Sequence, residues 1–163
     1  LYIRKEDAKK IWKKLFSLGI KLEPIGLAAR DTLRLEMGYC LYGNDINETT
    51  SPIEAGLSWI VKLDKQFIGK DIILKQLSKG VGKKLIGFVL LEKGIPRKGY
   101  DILDVNSQII GQVTSGTMSP SLNKPLGMGY VVLSQAAIGN EIFISVRNKK
   151  IKAIIVKRPF YEK

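Results

Sequence analysis

The sequence predicts an α+β protein. Helical periodicity fills its first half, six short strand-like segments fill its second, and a turn-rich KGVGKK at residues 79–84 divides the two. With 163 residues, 45% hydrophobic and 26% charged, the chain has ordinary globular composition and enough apolar side chains for one good core or two small ones.

Residues 1–3, Leu-Tyr-Ile, look strand-like. Over residues 6–18, Ala8, Ile11, Trp12, Leu15, Phe16 and Leu18 recur at three- and four-residue spacing, opposite Lys9, Lys10, Lys13 and Lys14. That pattern predicts an amphipathic helix closed by Gly19. The segment KLEPIG at 21–26 is extended, because Pro24 restricts Glu23, and leads into a second helix. There Leu27, Ala28, Leu33, Leu35 and Met37 supply apolar surface. Residues 41–52, rich in Gly, Asn, Asp, Thr and Ser, read as a loop. Residues 55–63 read as an apolar strand, and residues 69–78 as a short helix with Ile72, Ile73, Leu74 and Leu77 inward.

Beyond the divide the expected strands are residues 85–91, 100–104, 109–115, 127–132, 141–146 and 151–156. Gly or Pro clusters separate most of them, and residues 147–150 look like a tight hairpin turn. Six strands at this spacing imply a small antiparallel barrel or sandwich.

Composition narrows the chemistry. No run of about 18 uninterrupted apolar residues exists for a membrane helix. The apolar start without an initiator Met suggests a piece of a longer chain, and nothing at it resembles a charged leader with a cleavage site. Cys40 is alone, so the chain has no internal disulfide and no CxxC clip. Histidine is absent, which removes imidazole metal ligands, Ser-His-Asp triads and Cys-His dyads. No metal site is expected, and acid-base work would fall to carboxylates, Lys, Tyr, Cys or a substrate's own amines. The net charge of +12 attracts polyanions or acidic surfaces. Its lysines are scattered instead of forming one basic run with interleaved aromatics, which argues against nucleic acid and is equally the pattern of a solvated surface.

The stretch at residues 26–46, GLAARDTLRLEMGYCLYGNDI, mixes apolar residues with polar groups in a way that suggests a site. Arg30 and Arg34 are four apart and point the same way on a helix, which suits an anion. Asp31 and Glu36 could equally neutralise them as ion pairs. In the LYGND loop, Gly43 permits a positive φ, and Asn44 or Asp45 can close a local turn. Glu54, among apolar neighbours, could be a buried partner for an arginine. Thr114, Ser115 and Ser119 have no evident base partner, and their spacing suits strand ends and turns.

This stretch, continued by SPIEAGLSW at 51–59 and KLDKQFIGK at 62–70, and then by TSG at 114–116, SPSL at 119–122 and GMGYV at 127–131, resembles the glycine cleavage system T-protein family block by block. Members are tetrahydrofolate-dependent aminomethyltransferases. The resemblance implies that residues 1–80 complete a mixed α/β folate-binding middle domain and that residues 84–163 form a six-stranded antiparallel β-barrel. It implies tetrahydrofolate as cofactor and the lipoyl-carrying H protein as partner. The aminomethyl carbon passes from that lipoyl arm to the folate, giving methylenetetrahydrofolate and ammonia. A bacterial cytoplasm is favoured over a mitochondrion.

The same resemblance points to Arg30 at the folate, where a planar, always charged donor fork suits a carboxylate or pterin oxygen. Tyr39 falls where the family carries an aromatic able to stack on the ligand and hydrogen-bond its edge; a core tyrosine is the alternative. Tyr161, with Arg158 nearby, lies where T proteins return a terminal segment toward the cavity, a frayed end being the alternative. Arg34 reads as structural. The family's catalytic Asp, and a Glu that holds the pterin, belong to motifs upstream of Leu1, so no catalytic residue is assigned here. Two rival classes remain open: a non-catalytic folate-binding module of the iron-sulfur assembly or dimethylglycine and sarcosine oxidoreductase type, and a basic nucleic-acid-binding domain with salt-sensitive affinity. The ARDTLRLEMGY and LYGND blocks favour the cleavage-system branch.

Overall fold

A computed structural model describes residues 1–147 and 149–162. They fall into two compact units, Leu1–Arg30 and Asp31–Lys163.

In the first unit a 3-10 turn, Lys5–Asp7, runs into α1 (Ala8–Phe16). Trp12 and Phe16 stand one turn apart and touch, their ring centroids 5.1 Å from each other. Gly19, at φ +70°, turns the chain away after the helix. The expected strand at residues 1–3 is absent, since no partner strand pairs with it among the described residues. The amphipathic face of α1 forms as expected but is uncovered within its unit: Ile11 and Leu15 are half-buried, while Ala8, Trp12, Phe16 and Leu18 are exposed. One helix has no second layer of its own to pack against.

The second helix, α2 (Leu27–Glu36), buries only its last two residues, Leu35 and Glu36. Leu27 and Leu33, expected in its apolar stripe, are exposed. Residues 41–46 form a turn closed by Gly43 N–H donating to the Ile46 carbonyl at 2.8 Å. Residues 55–63, expected as a strand, are turns followed by a 3-10 segment, Ser58–Ile60. The cause is local. Ser51 N–H donates to Glu54 Oε2 at 3.0 Å while Glu54 N–H donates to Ser51 Oγ at 3.1 Å. This reciprocal pair folds the backbone before a ladder can claim it. Glu54 therefore caps a turn, and Ser51 takes the carboxylate expected to face an arginine.

The third helix, α3 (Lys70–Lys79), lies between Gly69 and Gly80, both at positive φ. Of the four residues expected inward only Ile73 is buried, and Ile72, Leu74 and Leu77 are exposed.

Six strands follow among the described residues: β1 (Lys83–Leu90), β2 (Asp101–Leu103), β3 (Ile109–Ser119), β4 (Lys124–Val132), β5 (Glu141–Val146) and β6 (Lys149–Val156). They close into an antiparallel barrel in the order β1-β4-β3-β2-β5-β6, with β6 returning to β1. The expected hairpin between β5 and β6 is paired at Val146 and Lys149, and Asn148 lies outside the described residues. Closure removes free strand edges.

The barrel has two apolar layers because β1 is buried on both faces. Ile86, Phe88 and Leu90 join Ile102, Val113, Ile142, Ile144 and Ile155 inside. Leu85 joins Leu126, Met128 and Leu35 of α2 in a second cluster. Each fully buried aliphatic or aromatic side chain contributes about 1.5–3 kcal/mol, so this second cluster is what seats the end of α2 on β1 and β4. Opposite Phe88 in the β1–β4 register stands Gly127, where a Cβ would lie 2.6 Å from the phenyl Cζ.

Candidate functional site

The stretch after α2 is shaped by one helix terminus. Gly38, at φ +66°, donates its N–H to the Leu35 carbonyl at 2.8 Å, and Tyr39 N–H donates to the Arg34 carbonyl at 2.8 Å. This paired closure is the Schellman arrangement, and it needs a residue free of a Cβ penalty at its left-handed position. It ejects Tyr39 from the helix and leaves the residue 63% exposed.

A buried polar cluster holds that terminus from below. The Arg34 guanidinium donates from Nε to Asp31 Oδ1 at 2.7 Å, from Nη1 to the Tyr39 carbonyl at 3.1 Å and to Asp45 Oδ2 at 2.5 Å, and from Nη2 to Ser115 Oγ at 2.8 Å. Asp45 is 1% exposed. It also accepts from Leu41 N–H at 2.9 Å, Thr114 Oγ1 at 2.5 Å and Ser115 Oγ at 2.7 Å. Successive strand residues ordinarily point to opposite faces. The register of β3 against β4 shifts between Val113 and Ser115, and this bulge lets two adjacent hydroxyls reach one carboxylate. A buried ion pair is favourable only when its remaining lone pairs and protons are satisfied, and here they are.

Glu36 anchors a second point. Its buried carboxylate accepts from Ser119 Oγ at 2.5 Å and from Ser121 Oγ at 2.9 Å. Its carbonyl accepts from Phe160 N–H at 2.9 Å and Tyr161 N–H at 3.1 Å. The carboxy-terminal segment is thus fastened over the end of α2, not frayed. Arg158 lies in this segment, before a cis peptide to Pro159. Its side chain runs past three glycines: a Cβ at Gly38, Gly56 or Gly87 would lie 2.9, 3.1 or 2.8 Å from it. The guanidinium donates to the Leu85 carbonyl at 3.2 Å and to Met128 Sδ at 3.5 Å.

Between the turn after α2, the turn before Trp59, and strands β1 and β6 lies a cleft of about 330 Å³. Tyr39 and Trp59 are its aromatic residues. Lys84, Lys157 and Arg158 are its cations, no carboxylate is among its lining, and the remaining wall is largely apolar. Such a cleft suits a flat, partly apolar molecule carrying negative charge.

Two groups near the cluster have displaced acidities. Burial pushes the Cys40 thiol up, with the Asp45 carboxylate adding to it; the charge and hydrogen bond of Arg158, and the charge of Arg34, oppose the rise. Burial pushes the Tyr130 phenol up as well, followed by Cys40, Glu54 and Asp45. Its hydroxyl donates to the Asp45 carbonyl at 2.8 Å. Cys40 is therefore a neutral thiol at physiological pH and not an activated nucleophile.

A profile described as the GCVT N-terminal domain matches residues 1–65, and one described as the glycine cleavage T-protein C-terminal barrel domain matches residues 83–162. The chain belongs to the glycine cleavage T-protein family. It is 53% identical over 165 aligned positions to the aminomethyltransferase of Flavobacterium psychrophilum, covering 100% of this chain and 46% of that protein. It is also 53% identical to the aminomethyltransferase of Halothermothrix orenii, covering 98% and 45%. The crystal structure of glycine cleavage system aminomethyltransferase T from Bartonella henselae superposes with a TM-score of 0.88 at 39% identity, over 96% of this chain and 44% of that one. The chain spans less than half the length of the curated relatives it matches.

Against this family frame the anticipated site residues separate. Tyr39 lines the cleft. Tyr161 is tied by its backbone to Glu36 and is not among the cleft residues. Arg30 is an exposed residue of the first unit. Asp31, one expected partner for Arg30, pairs with Arg34 at 2.6 Å. The other, Glu36, is taken by Ser119 and Ser121. Thr114, Ser115 and Ser119 anchor the two buried carboxylates. Sequence reasoning missed Trp59 and the cations Lys84 and Lys157 as cleft residues, because each lies on a different segment with no shared local motif. No group of three or more metal-ligating side chains is assembled among the described residues.

Proposed function

We propose that this chain is the carboxy-terminal portion of a tetrahydrofolate-dependent aminomethyltransferase of the glycine cleavage system, and that its cleft forms part of the folate-binding wall. Residues 1–80 would complete the folate-binding middle domain, and residues 84–163 the barrel domain. The observation that carries the reading is the cleft's composition: Tyr39 and Trp59 offer flat apolar faces, while Lys84, Lys157 and Arg158 offer positive charge with no carboxylate beside them. Tetrahydrofolate joins a planar ring system to an acidic tail and matches both halves of that description. Arg30 and Tyr161 are retained as further folate contacts of the assembled protein.

Tetrahydrofolate, when bound, supplies the amine nitrogens that take up the one-carbon unit. The residues of this chain bind, orient and exclude water. Tyr39 and Trp59 hold an aromatic ring in place, and the cations neutralise the tail, which lowers the entropic cost of bringing the reacting groups together. None of these residues is assigned acid-base work. The donor would be the lipoyl arm of the H protein, whose aminomethyl carbon leaves as methylenetetrahydrofolate with release of ammonia, in a bacterial cytoplasm.

The test is direct. The full-length protein, mixed with aminomethyl-loaded H protein, is expected to release ammonia only when tetrahydrofolate is added. Absence of folate-dependent ammonia release overturns the reading.

A further inference from the structure

Arg34 touches Tyr39 on both sides of the same residue. Its backbone carbonyl accepts the Tyr39 N–H at 2.8 Å, and its guanidinium donates to the Tyr39 carbonyl at 3.1 Å. A Schellman closure alone provides the first of these bonds and leaves the second peptide free to rotate. Here the second is held by a side chain that cannot itself move. Nη1 is shared with Asp45 at 2.5 Å and Nη2 is held by Ser115 at 2.8 Å, while the Arg34 side chain is 9% exposed and that of Asp45 0%. With both flanking peptides fixed, the Cα–Cβ vector of Tyr39 has one direction, although the residue is exposed and its hydroxyl makes no hydrogen bond among the described residues that would aim it. A ring anchored only by its backbone takes its position from whatever holds that backbone.

We propose that Arg34 is a positioning residue for Tyr39, fixing the direction in which the tyrosine ring enters the cleft and thereby the affinity for a flat ligand there. This rests on the reading of the cleft as a folate wall. The role requires a fork: Nε, Nη1 and Nη2 are all engaged, on Asp31, Tyr39 with Asp45, and Ser115. A lysine carries the charge but presents one nitrogen, so it can keep Asp45 paired and cannot also hold the Tyr39 carbonyl and Ser115 in that geometry. The electrostatic and the positioning contributions are therefore separable by one substitution.

The experiment is a pair of double-mutant cycles on the full-length protein, with tetrahydrofolate binding measured by calorimetry and folding checked by thermal melting. Tyr39→Ala is expected to weaken tetrahydrofolate binding about tenfold, and Arg34→Lys by a similar factor. If Arg34 acts through Tyr39, the double variant is no weaker than the worse single one, because removing the ring leaves nothing to aim. Arg34→Lys combined with Trp59→Ala, an aromatic outside the hydrogen-bond set of Arg34 on Asp31, Tyr39, Asp45 and Ser115, is expected to be multiplicative. Should Arg34→Lys fail to fold, Ser115→Ala replaces it, since it loosens Nη2 while leaving the ion pair in place. Multiplicative losses with Tyr39→Ala, or equal coupling to Trp59, overturn the positioning role and leave the cleft reading standing. Unchanged binding in Tyr39→Ala overturns the cleft reading and the positioning role with it.

Discussion

The carboxylate of Glu36, the last residue of α2, accepts a hydrogen bond from Ser119 Oγ at the far end of β3 across 2.5 Å, with both residues almost wholly buried. Ser121 adds a second hydroxyl at 2.9 Å. A helix end and a strand end 83 positions apart are thereby joined through one charged group.

Replacing Glu36 by Ala strands the buried Ser119 hydroxyl and takes an acceptor from the exposed Ser121. Hydrogen bonds to a charged group contribute roughly 1.5–3 kcal/mol, so Glu36→Ala is expected to lower stability by about that much. Glu36→Gln, which keeps an acceptor, should cost less. Urea denaturation of the three proteins checks the order.

Gly38 combines a left-handed backbone with a close approach to the stem of Arg158. Its φ of +66° disfavours any side chain, and a Cβ there would lie 2.9 Å from Arg158 Cβ. Gly43, at φ +85°, has nothing within 4 Å. Left-handed backbone costs a non-glycine residue about 1–2 kcal/mol. Gly43→Ala is expected to lose that alone and Gly38→Ala clearly more, with thermal midpoints as the readout. Equal losses would mean that the tail shifts freely away from α2.

The raised pKa values of Cys40 and Tyr130 fix the sign of the alkaline response. In the unfolded chain these groups lose their protons near about pH 8.5 and 10. In the folded chain they hold them to higher pH. The folded state thus binds more protons in that window, and stability should be level below about pH 8 and fall as pH rises beyond it. Tyr130→Phe should flatten the upper part of the fall, while losing the bond to the Asp45 carbonyl. Melting midpoints between neutrality and strong alkali report both effects.

How legible these features were depended on how local they are. The six barrel strands could be read because β-branched runs such as IKAIIV are bounded by turn residues in the chain itself. The run at 55–63 misled because apolar residues report burial and not period, and the deciding Ser51–Glu54 pair lies at its edge. Asp45 could be read as a turn residue, which it is through Leu41. Its barrel partners, Thr114 and Ser115, lie 69 and 70 positions away, and nothing near Asp45 names them. The same holds for the three glycines beside Arg158, which share no spacing until the barrel brings them together.

Arg30 carries the charge that the family resemblance assigns to folate, and its side chain is exposed. Arg30→Ala in the full-length protein is expected to weaken tetrahydrofolate binding on the order of tenfold or more, the scale of one charged hydrogen bond, with no change in melting. Unchanged affinity would make it an ordinary surface arginine.

Arg158 poses the sharper question, because it serves both the fold and the cleft. Its stem fills the space left by Gly38 and Gly87, while its guanidinium lies against Gly56, meets the Leu85 carbonyl and borders the cleft. A long side chain can stabilise through packing independently of charge, so two substitutions divide the roles. Arg158→Met keeps most of the stem: the tail should stay seated and the melting midpoint should fall only slightly, while affinity for an anionic ligand drops. Arg158→Ala removes stem and charge together, and both readouts should fall, the stability loss matching that of detaching Phe160 from the cluster around Leu126 and Met128. If Arg158→Met binds tetrahydrofolate as tightly as the parent, the guanidinium belongs to the fold alone, and the charge of the cleft rests on Lys84 and Lys157.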